Sequence, residues 1–244
     1  MDKLRKMSEK CENLQGFTQI YSTSGGAGGK AAKLSQKLEE FFPKKTNICF
    51  YSMPNFVPNT SPVIEPINCQ LIIEEMSKVS HLEFYWQNRA LYNVLESNLD
   101  MYEPRLTDIN KLIAMAYSDL TASMRFGGNG NKSLNEIVTN LVCFKEIKQA
   151  QLSITPLLDP EDCHVQTHNM HDLLEEAYSD NNSFCTNPNS NIQRLTELSS
   201  MFTFRGSQAD NCLVSDIGRF TKTYTKSLLN ERKVAFCPRT RKMD

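Results

Sequence analysis

Apolar positions recur along this chain with two different periods, and the switches between them predict its elements. Leu4, Met7 and Cys11 lie three to four apart and predict a helix within residues 2–12, and Phe17–Tyr21 then predicts a strand. In residues 30–42, Ala31, Leu34, Leu38 and Phe41 form the stripe of an amphipathic helix. Ile48–Tyr51 predicts a strand, and Pro54, Pro58 and Pro62 exclude regular structure from the segment after it. Cys69–Met76 predicts a helix, Leu82–Trp86 a strand and Ala90–Leu95 a helix. Strand and helix in alternation imply crossover connections and a parallel sheet, so the first part of the chain is α/β.

The longest stripe follows: Leu106, Ile109, Leu112, Ile113, Ala116, Leu120 and Met124 predict a helix closed by Gly127–Gly128. Beyond it the pattern is mixed. SLNEIVTNLV predicts a short helix, Ala150–Ile154 a strand, His171–Tyr178 a helix and Leu198–Phe204 a strand. Val214, Ile217, Thr221, Tyr224 and Leu228 predict another helix, and Lys233–Phe236 a last strand. The polar segment SDNNSFCTNPNSN, residues 179–191, predicts a loop without packing capacity. No internal repeat occurs.

Composition narrows the class. A chain of 244 residues with 40% hydrophobic and 23% charged residues has the makings of a buried core. A formal net charge of −1 gives no support for a nucleic-acid partner or a polybasic membrane patch, and no apolar run approaches the ~20 residues of a membrane span. The N-terminus MDKLRKMSEKCENLQ is too charged for a signal peptide. The 8 cysteines are scattered without a C-x-x-C pair, which argues for reduced thiols and a cytoplasmic protein.

YSTSGGAGGK, residues 21–30, carries the first candidate chemistry. Gly25, Gly26, Gly28 and Gly29 fall between a predicted strand and a predicted helix. Such a turn offers free N–H groups and the positive end of a helix dipole to a phosphate, and it serves equally as an ordinary strand-to-helix turn. The spacing is neither G-x-x-x-x-G-K-[ST] nor G-x-G-x-x-G, so pattern alone leaves both readings open. A second cluster, His164, His168 and His171 with Cys163 and Cys185 nearby, has spacings of four and three that suit zinc on one helix face. Pro160 and the lack of four ligands at standard spacing speak against a metal site, and none is assigned.

CENLQGF followed by SGGAGG resembles the strand and phosphate loop of the tubulin family. The similarity continues through FPKK, VIEP, NRALYNVLESNLDMYEP, LTDINKLI, SDLTASMRF and NEIVTNLV, and more weakly through FRG and FCP. NLD, INKLI, LTASMRF and TNLV are closest to α-tubulin. The resemblance covers most of this chain but about the middle half of a tubulin. It implies a truncated, divergent member: residues 1–105 as the C-terminal half of a Rossmann-like, parallel-sheet GTPase domain, residues 106–126 as the core helix, and residues 127–244 as an incomplete α+β intermediate domain. Missing first strands and phosphate loops are part of that expectation. Implied activities are GTP binding, with Mg as companion ion, and a structural role in the microtubule cytoskeleton among α/β-tubulin subunits or on the lattice. Alternatives are a non-catalytic tubulin-interacting or capping protein, and a pseudogene-like product without a stable function.

The resemblance assigns residues to that site. The phosphate loop falls on Gly25, Gly26, Gly28 and Gly29, with Ser24, Ala27, Gly29 and Lys30 departing from the family's pattern. Each phosphate-facing hydroxyl lost in this way would cost on the order of 1–3 kcal/mol if not replaced. Thr60, Ser61 and Glu65 match the ribose-binding stretch, and Asn88 and Asn110 the guanine-contacting asparagines. Leu106 stands at the family's base-stacking aromatic. Glu136 matches the glutamate that acts on a neighbouring subunit's nucleotide across a longitudinal contact. Read from the residues alone, Glu65 is a solvated glutamate before a proline, Asn88 a helix N-cap, and Ser133-x-x-Glu136 a capping box.

Overall fold

The structure, a computed structural model, describes residues 1–54, 63–126, 133–157, 170–186, 195–197, 199–205, 225–227 and 233–237. Two units divide it: Met1–Tyr85 with Ser133–Ala150, and Trp86–Lys132 with Gln151–Asp244.

In the first unit the chain runs α1 (Asp2–Ser8), β1 (Gly16–Ser22), α2 (Gly26–Phe41), β2 (Thr46–Met53), α3 (Ile64–Val79) and β3 (Leu82–Gln87). It then builds α4 (Asn88–Asn98) and α5 (Leu106–Arg125) of the second unit and returns with α6 (Leu134–Leu141) and β4 (Gln149–Gln151). The sheet has the order β1-β2-β3-β4, and β1 pairs with β2 in parallel from Gly16↔Thr46 to Ser22↔Ser52. This is the α/β arrangement that the alternating pattern predicts. β2 is central, and its residues Thr46–Tyr51 are all buried, as an interior parallel strand requires. α2 and α3 turn Ala32, Ile72 and Met76 onto Cys49 of β2.

Polar groups lie deep inside this layer. Gln19 Nε2 of β1 donates to Ser35 Oγ of α2 at 2.7 Å and to Asn47 Oδ1 of β2 at 3.1 Å. On β3, Glu83 is 1% exposed; it accepts from the Ser80 hydroxyl at 2.5 Å and from the Tyr51 hydroxyl at 3.4 Å. Gln149 Nε2 donates to that tyrosine oxygen at 3.1 Å. Tyr21, Tyr51 and Tyr85 stack across three successive strands with centroids 5.6 and 6.0 Å apart. Lys148 donates from Nζ to the Ser77 and Ser80 carbonyls, both at 2.6 Å, and so closes the C-terminal end of α3 with a positive charge.

In the second unit, α4 buries Ala90, Leu91, Val94 and Leu95. α5 buries Ile109, Leu112 and Ala116, then Thr121, Ala122 and Ser123. The predicted stripe therefore holds in the middle of α5 and drifts at both ends: Leu106 is exposed, and Leu120 and Met124 are half-buried. Thr121 is accommodated by donating its hydroxyl to the Tyr117 carbonyl at 2.8 Å. The helix ends at Arg125; Gly127 and Gly128 lie outside the described residues. After α7 (Met170–Ala177) come a 3-10 turn (Asp180–Asn182) and the strands β5 (Leu195–Glu197), β6 (Met201–Arg205), β7 (Thr225–Ser227) and β8 (Lys233–Cys237). β5 pairs with β7 and β6 with β8, both in parallel, and α5 packs against β6 and β8.

Two expectations are corrected. The described part of the segment 179–191, residues 179–186, does pack: Phe184 is 0% and Cys185 3% exposed. The Phe184 N–H donates to the Leu152 carbonyl at 3.0 Å, and its carbonyl accepts from Gln87 N–H at 2.9 Å. Two apolar residues in a polar run suffice once their backbone is tied into neighbouring strands. The helix expected over residues 214–228 is replaced, in its described part, by β7 at Thr225–Ser227; its other positions lie outside the described residues. Pairing with β5 overrides a stripe whose members Thr221 and Tyr224 suit a strand as well as a helix.

Candidate functional site

The glycine loop sits where β1 ends and α2 begins. α2 starts at Gly26, four residues before the predicted start, so Gly26, Gly28 and Gly29 are helical and Gly25 is its N-cap in extended conformation. None of the four occupies left-handed backbone: Gly26, Gly28 and Gly29 are helical and Gly25 has φ −151°. Space separates them instead. A Cβ on Gly25, Gly26 or Gly29 would meet nothing within 4 Å, whereas one on Gly28 would lie 2.3 Å from Ile72 Cδ1 and 3.1 Å from the Ser22 carbonyl oxygen. Gly28 thus lets α2 approach α3 and the end of β1. Gly25, Gly26 and Gly29 face open space, as the backbone of a phosphate cradle must.

The loop's own hydroxyls are committed elsewhere. Thr23 donates both its N–H, at 3.1 Å, and its hydroxyl, at 2.9 Å, to the Ser52 carbonyl, pinning the loop to the end of β2. The Ser22 and Ser24 hydroxyls bond each other at 2.9 Å. Among the described residues, no acceptor meets the Gly26 and Ala27 N–H groups at the positive end of α2. Lys30 is exposed one turn further on. The donor set is therefore two backbone N–H groups and a nearby ammonium. That set fits an anion such as a phosphate, without the hydroxyls a fuller cradle would add.

Glu65 lies in the first turn of α3 and is half-buried, with its carboxylate at the favourable end of the helix dipole. Thr60 and Ser61 lie outside the described residues. Glu136 is exposed on α6, and its N–H donates to the Ser133 hydroxyl at 3.3 Å, so Ser133 is the N-cap. Leu134 and Ile137 anchor that helix, and Leu134 N–H donates to Gln15 Oε1 at 3.1 Å.

The remaining two assigned residues belong to the second unit. Asn88 is half-buried at the first position of α4, whose N-cap is Gln87 rather than Asn88. Asn110 is exposed on α5, one turn after the exposed Leu106. His164, His168 and Cys163 lie outside the described residues, and Cys185 is a buried free thiol. No group of three or more His, Cys, Asp or Glu suited to a metal occurs among the described residues. None of their helices is long and apolar enough to cross a membrane.

Sequence reasoning missed the polar groups around the sheet: Asn47, His81, Glu83 and Lys148. The signal for one was visible, because Glu83 interrupts the apolar run LEFYW. Burial, with the neighbouring Glu83 charge reinforcing it, pushes the Tyr51 hydroxyl and the Cys49 thiol far above their ordinary pKa values, so both stay protonated.

Residues 1–96 match the family model of the Tubulin/FtsZ family GTPase domain. The chain is 34% identical over 184 residues to the tubulin alpha chain of Dictyostelium discoideum, covering 75% of this chain and 40% of that one. It is 36% identical over 184 residues to the tubulin alpha chain of Entamoeba histolytica, covering 74% of this chain and 40% of the relative. With the tubulin alpha chain of Dictyostelium purpureum the identity is 34% over 183 residues, or 74% of this chain and 55% of the relative. The chain thus spans between 40% and 55% of the length of these relatives.

Proposed function

From a chain that belongs to the tubulin family, we propose a tubulin-like cytoskeletal protein that associates with α/β-tubulin subunits or the microtubule lattice and retains a weakened guanine-nucleotide site. The observation that carries the nucleotide part is the open approach to Gly25, Gly26 and Gly29 at the start of a 16-residue helix. GTP would be held there by its phosphates on the Gly26 and Ala27 N–H groups, with Lys30 adding charge. Glu65, Thr60 and Ser61 are proposed for the ribose, and Asn88 and Asn110 for the base. When bound, the nucleotide supplies the phosphoanhydride whose cleavage the family couples to assembly, with Mg as its companion ion. Glu136 is proposed to act on the nucleotide of an adjoining subunit. The division into residues 1–105, 106–126 and 127–244 is kept as the functional division, and a cytoplasmic, cytoskeletal location follows from the same reading.

The weakening follows from substitution. Ala27 has no hydroxyl to offer, and the hydroxyls of Ser22, Thr23 and Ser24 are bonded within the loop and to β2. A second reading, a non-catalytic tubulin-binding or capping protein, is favoured by Ser133, whose hydroxyl caps α6 by accepting from the Glu136 backbone N–H and so has a structural role without catalysis.

The test is paired. The purified chain is denatured and its nucleotide measured, and separately it is co-sedimented with microtubules. Sub-stoichiometric guanine nucleotide together with co-sedimentation is the expected result. Sedimentation with no nucleotide at any GTP concentration would select the second reading. Failure to sediment or to bind soluble tubulin would overturn both.

A further inference from the structure

α3 departs from the rule that the solvent-facing side of a helix is polar. Ile64, Ile67 and Leu71, spaced three and four apart, share one side of it and are 66%, 56% and 56% exposed. Further along, its surface is polar and its charges are paired: Lys78 bonds Glu74 at 3.4 Å and Glu75 at 2.8 Å. α2 lies alongside and runs the same way, since Gly28 meets Ile72 and, later in both helices, Gln36 Nε2 donates to Glu75 Oε2 at 3.0 Å. Leu71 stands one turn before Glu75 and Gly29 two turns before Gln36, so both border the seam between the helices. A Cβ on Gly29 would meet nothing within 4 Å, which leaves the α2 side of the seam bare there. Beyond it Lys30, Lys33 and Lys37 form an exposed row, again spaced three and four apart. None of these lysines has an ion pair among the described residues, and Lys33 Nζ donates to the uncharged Gln36 Oε1 at 3.3 Å.

We propose that this strip of α2 and α3 docks an acidic amphipathic helix of a partner protein, its apolar side chains on Ile64, Ile67 and Leu71 and its carboxylates on Lys33 and Lys37. Spacing argues for a helix, because anchors at i, i+3 and i+7 meet the apolar row turn by turn. Charge argues for the acid: a basic row without ionic partners flanks an apolar row, and Glu40, one turn after Lys37, marks where an acidic partner must end. The apolar row supplies the contact area, and the lysines set the orientation and salt dependence. A planar anionic membrane fits less well, because it cannot enter the bare strip at Gly29 and would meet Glu40 and Glu74 together with the lysines. A second copy of this face brings the same lysines rather than the carboxylates that complement them. Phosphate is proposed on the Gly26 and Ala27 N–H groups with Lys30, before the strip begins, so this docking surface goes beyond the nucleotide reading and does not depend on it.

Two synthetic helices of about 14 residues test the proposal on the full chain. Both carry leucines spaced three and four apart; one has glutamates beside them and the other lysines. Fluorescence anisotropy should show the acidic peptide binding, more weakly as salt rises. Lys33→Glu/Lys37→Glu, Ile67→Gln and Leu71→Gln should each weaken that binding by about tenfold or more. These positions are exposed, so circular dichroism should stay native, and the nucleotide released on denaturation should match that of the unaltered chain because Lys30 and the glycine loop are untouched. No binding of the acidic peptide, equal binding of the basic one, or binding that the variants leave unchanged overturns the proposal. Flotation with phosphatidylserine–phosphatidylcholine vesicles that Ile67→Gln abolishes would assign the strip to a membrane. A dimer in sedimentation velocity that Ile67→Gln dissolves would assign it to a second copy. Either result overturns the partner helix.

Discussion

Replacing Gly28 by alanine separates the packing role of the glycine loop from its ligand-binding role. The new Cβ would sit 2.3 Å from Ile72 Cδ1 and 3.1 Å from both Ile72 Cγ1 and the Ser22 carbonyl oxygen. The first distance is roughly 1.2–1.7 Å inside ordinary carbon–carbon contact. Ile72 Cδ1 ends a flexible side chain, but Ile72 is held in the core with Ala32, Cys49 and Met76, and the Ser22 oxygen is backbone at the end of β1. Overpacking of this kind costs about 1–3 kcal/mol. Alanine in place of a helical glycine returns about 0.5–1 kcal/mol. The net expectation is a loss of about 1–2 kcal/mol, read as a fall of roughly 0.5–1 M in the urea midpoint followed by circular dichroism. Gly29→Ala, with nothing within 4 Å of its Cβ, should be neutral or raise the midpoint. Ile72→Val removes the clashing Cδ1, so the double variant should lie close to Ile72→Val alone, a coupling within the 0.5–3 kcal/mol range of residues in contact. Gly28→Ala as stable as the parent, or strictly additive with Ile72→Val, would refute the close-approach argument.

Other perturbations follow from the same geometry. His81 has a pKa held below its ordinary 6.5, by burial first and by the Lys148 ammonium second, with Glu39 opposing. The fold therefore favours the neutral ring; stability is complete above about pH 6.5 and falls as pH drops toward the folded pKa, and His81→Gln should flatten that limb of a pH–urea series. Ser133→Ala should cost about 0.5–2 kcal/mol by loss of the α6 cap, measured by urea titration. Glu136→Gln should leave stability unchanged while lowering any GTP turnover stimulated by added tubulin; equal turnover would remove Glu136 from the proposed chemistry. Lys148→Met leaves the Ser77 and Ser80 carbonyls without their charged donor and should lower stability by about 1.5–3 kcal/mol by the same titration.

The sheet and its flanking helices were legible because parallel crossover units impose strong periodicity. Ile48–Tyr51 and Leu82–Trp86 each fall inside an observed strand, and Cys69–Met76 inside α3. Boundaries were less so. Glycine's low helix propensity pointed to a start of α2 at residue 30, yet tertiary contact between Gly28 and Ile72 draws the glycines into the first turn. The glycine loop could be found by composition, but its division into three open positions and one packed position could not, since only the approach of α3 distinguishes them. Phe184 and Cys185 were missed because periodicity needs several turns to show, and two residues docked by backbone bonds carry none.

The polar interior bears on why so divergent a sheet keeps one register. Parallel strands of uniform apolar residues tolerate alternative pairings, whereas Gln19, Asn47 and Tyr51 have partners in this pairing alone. In this register Gln19 pairs with Cys49 and its side chain reaches Asn47, the partner of Phe17; a one-residue slip of β1 would put Thr18 or Ile20 in the place of Gln19 and leave the Asn47 amide carbonyl without the Gln19 donor. A slip of β3 would carry the Glu83 carboxylate away from Tyr51 and leave a buried charge underpaired, at a cost of several kcal/mol. Against the aligned state, such penalties do not appear as added stability; they appear as a wider gap to misregistered states. Glu83→Leu, which strips the buried Ser80 and Tyr51 hydroxyls of their acceptor, should lower the urea midpoint and broaden the amide spectrum of β2 and β3. A sharp spectrum with unchanged chemical-shift dispersion would refute the register role of Glu83.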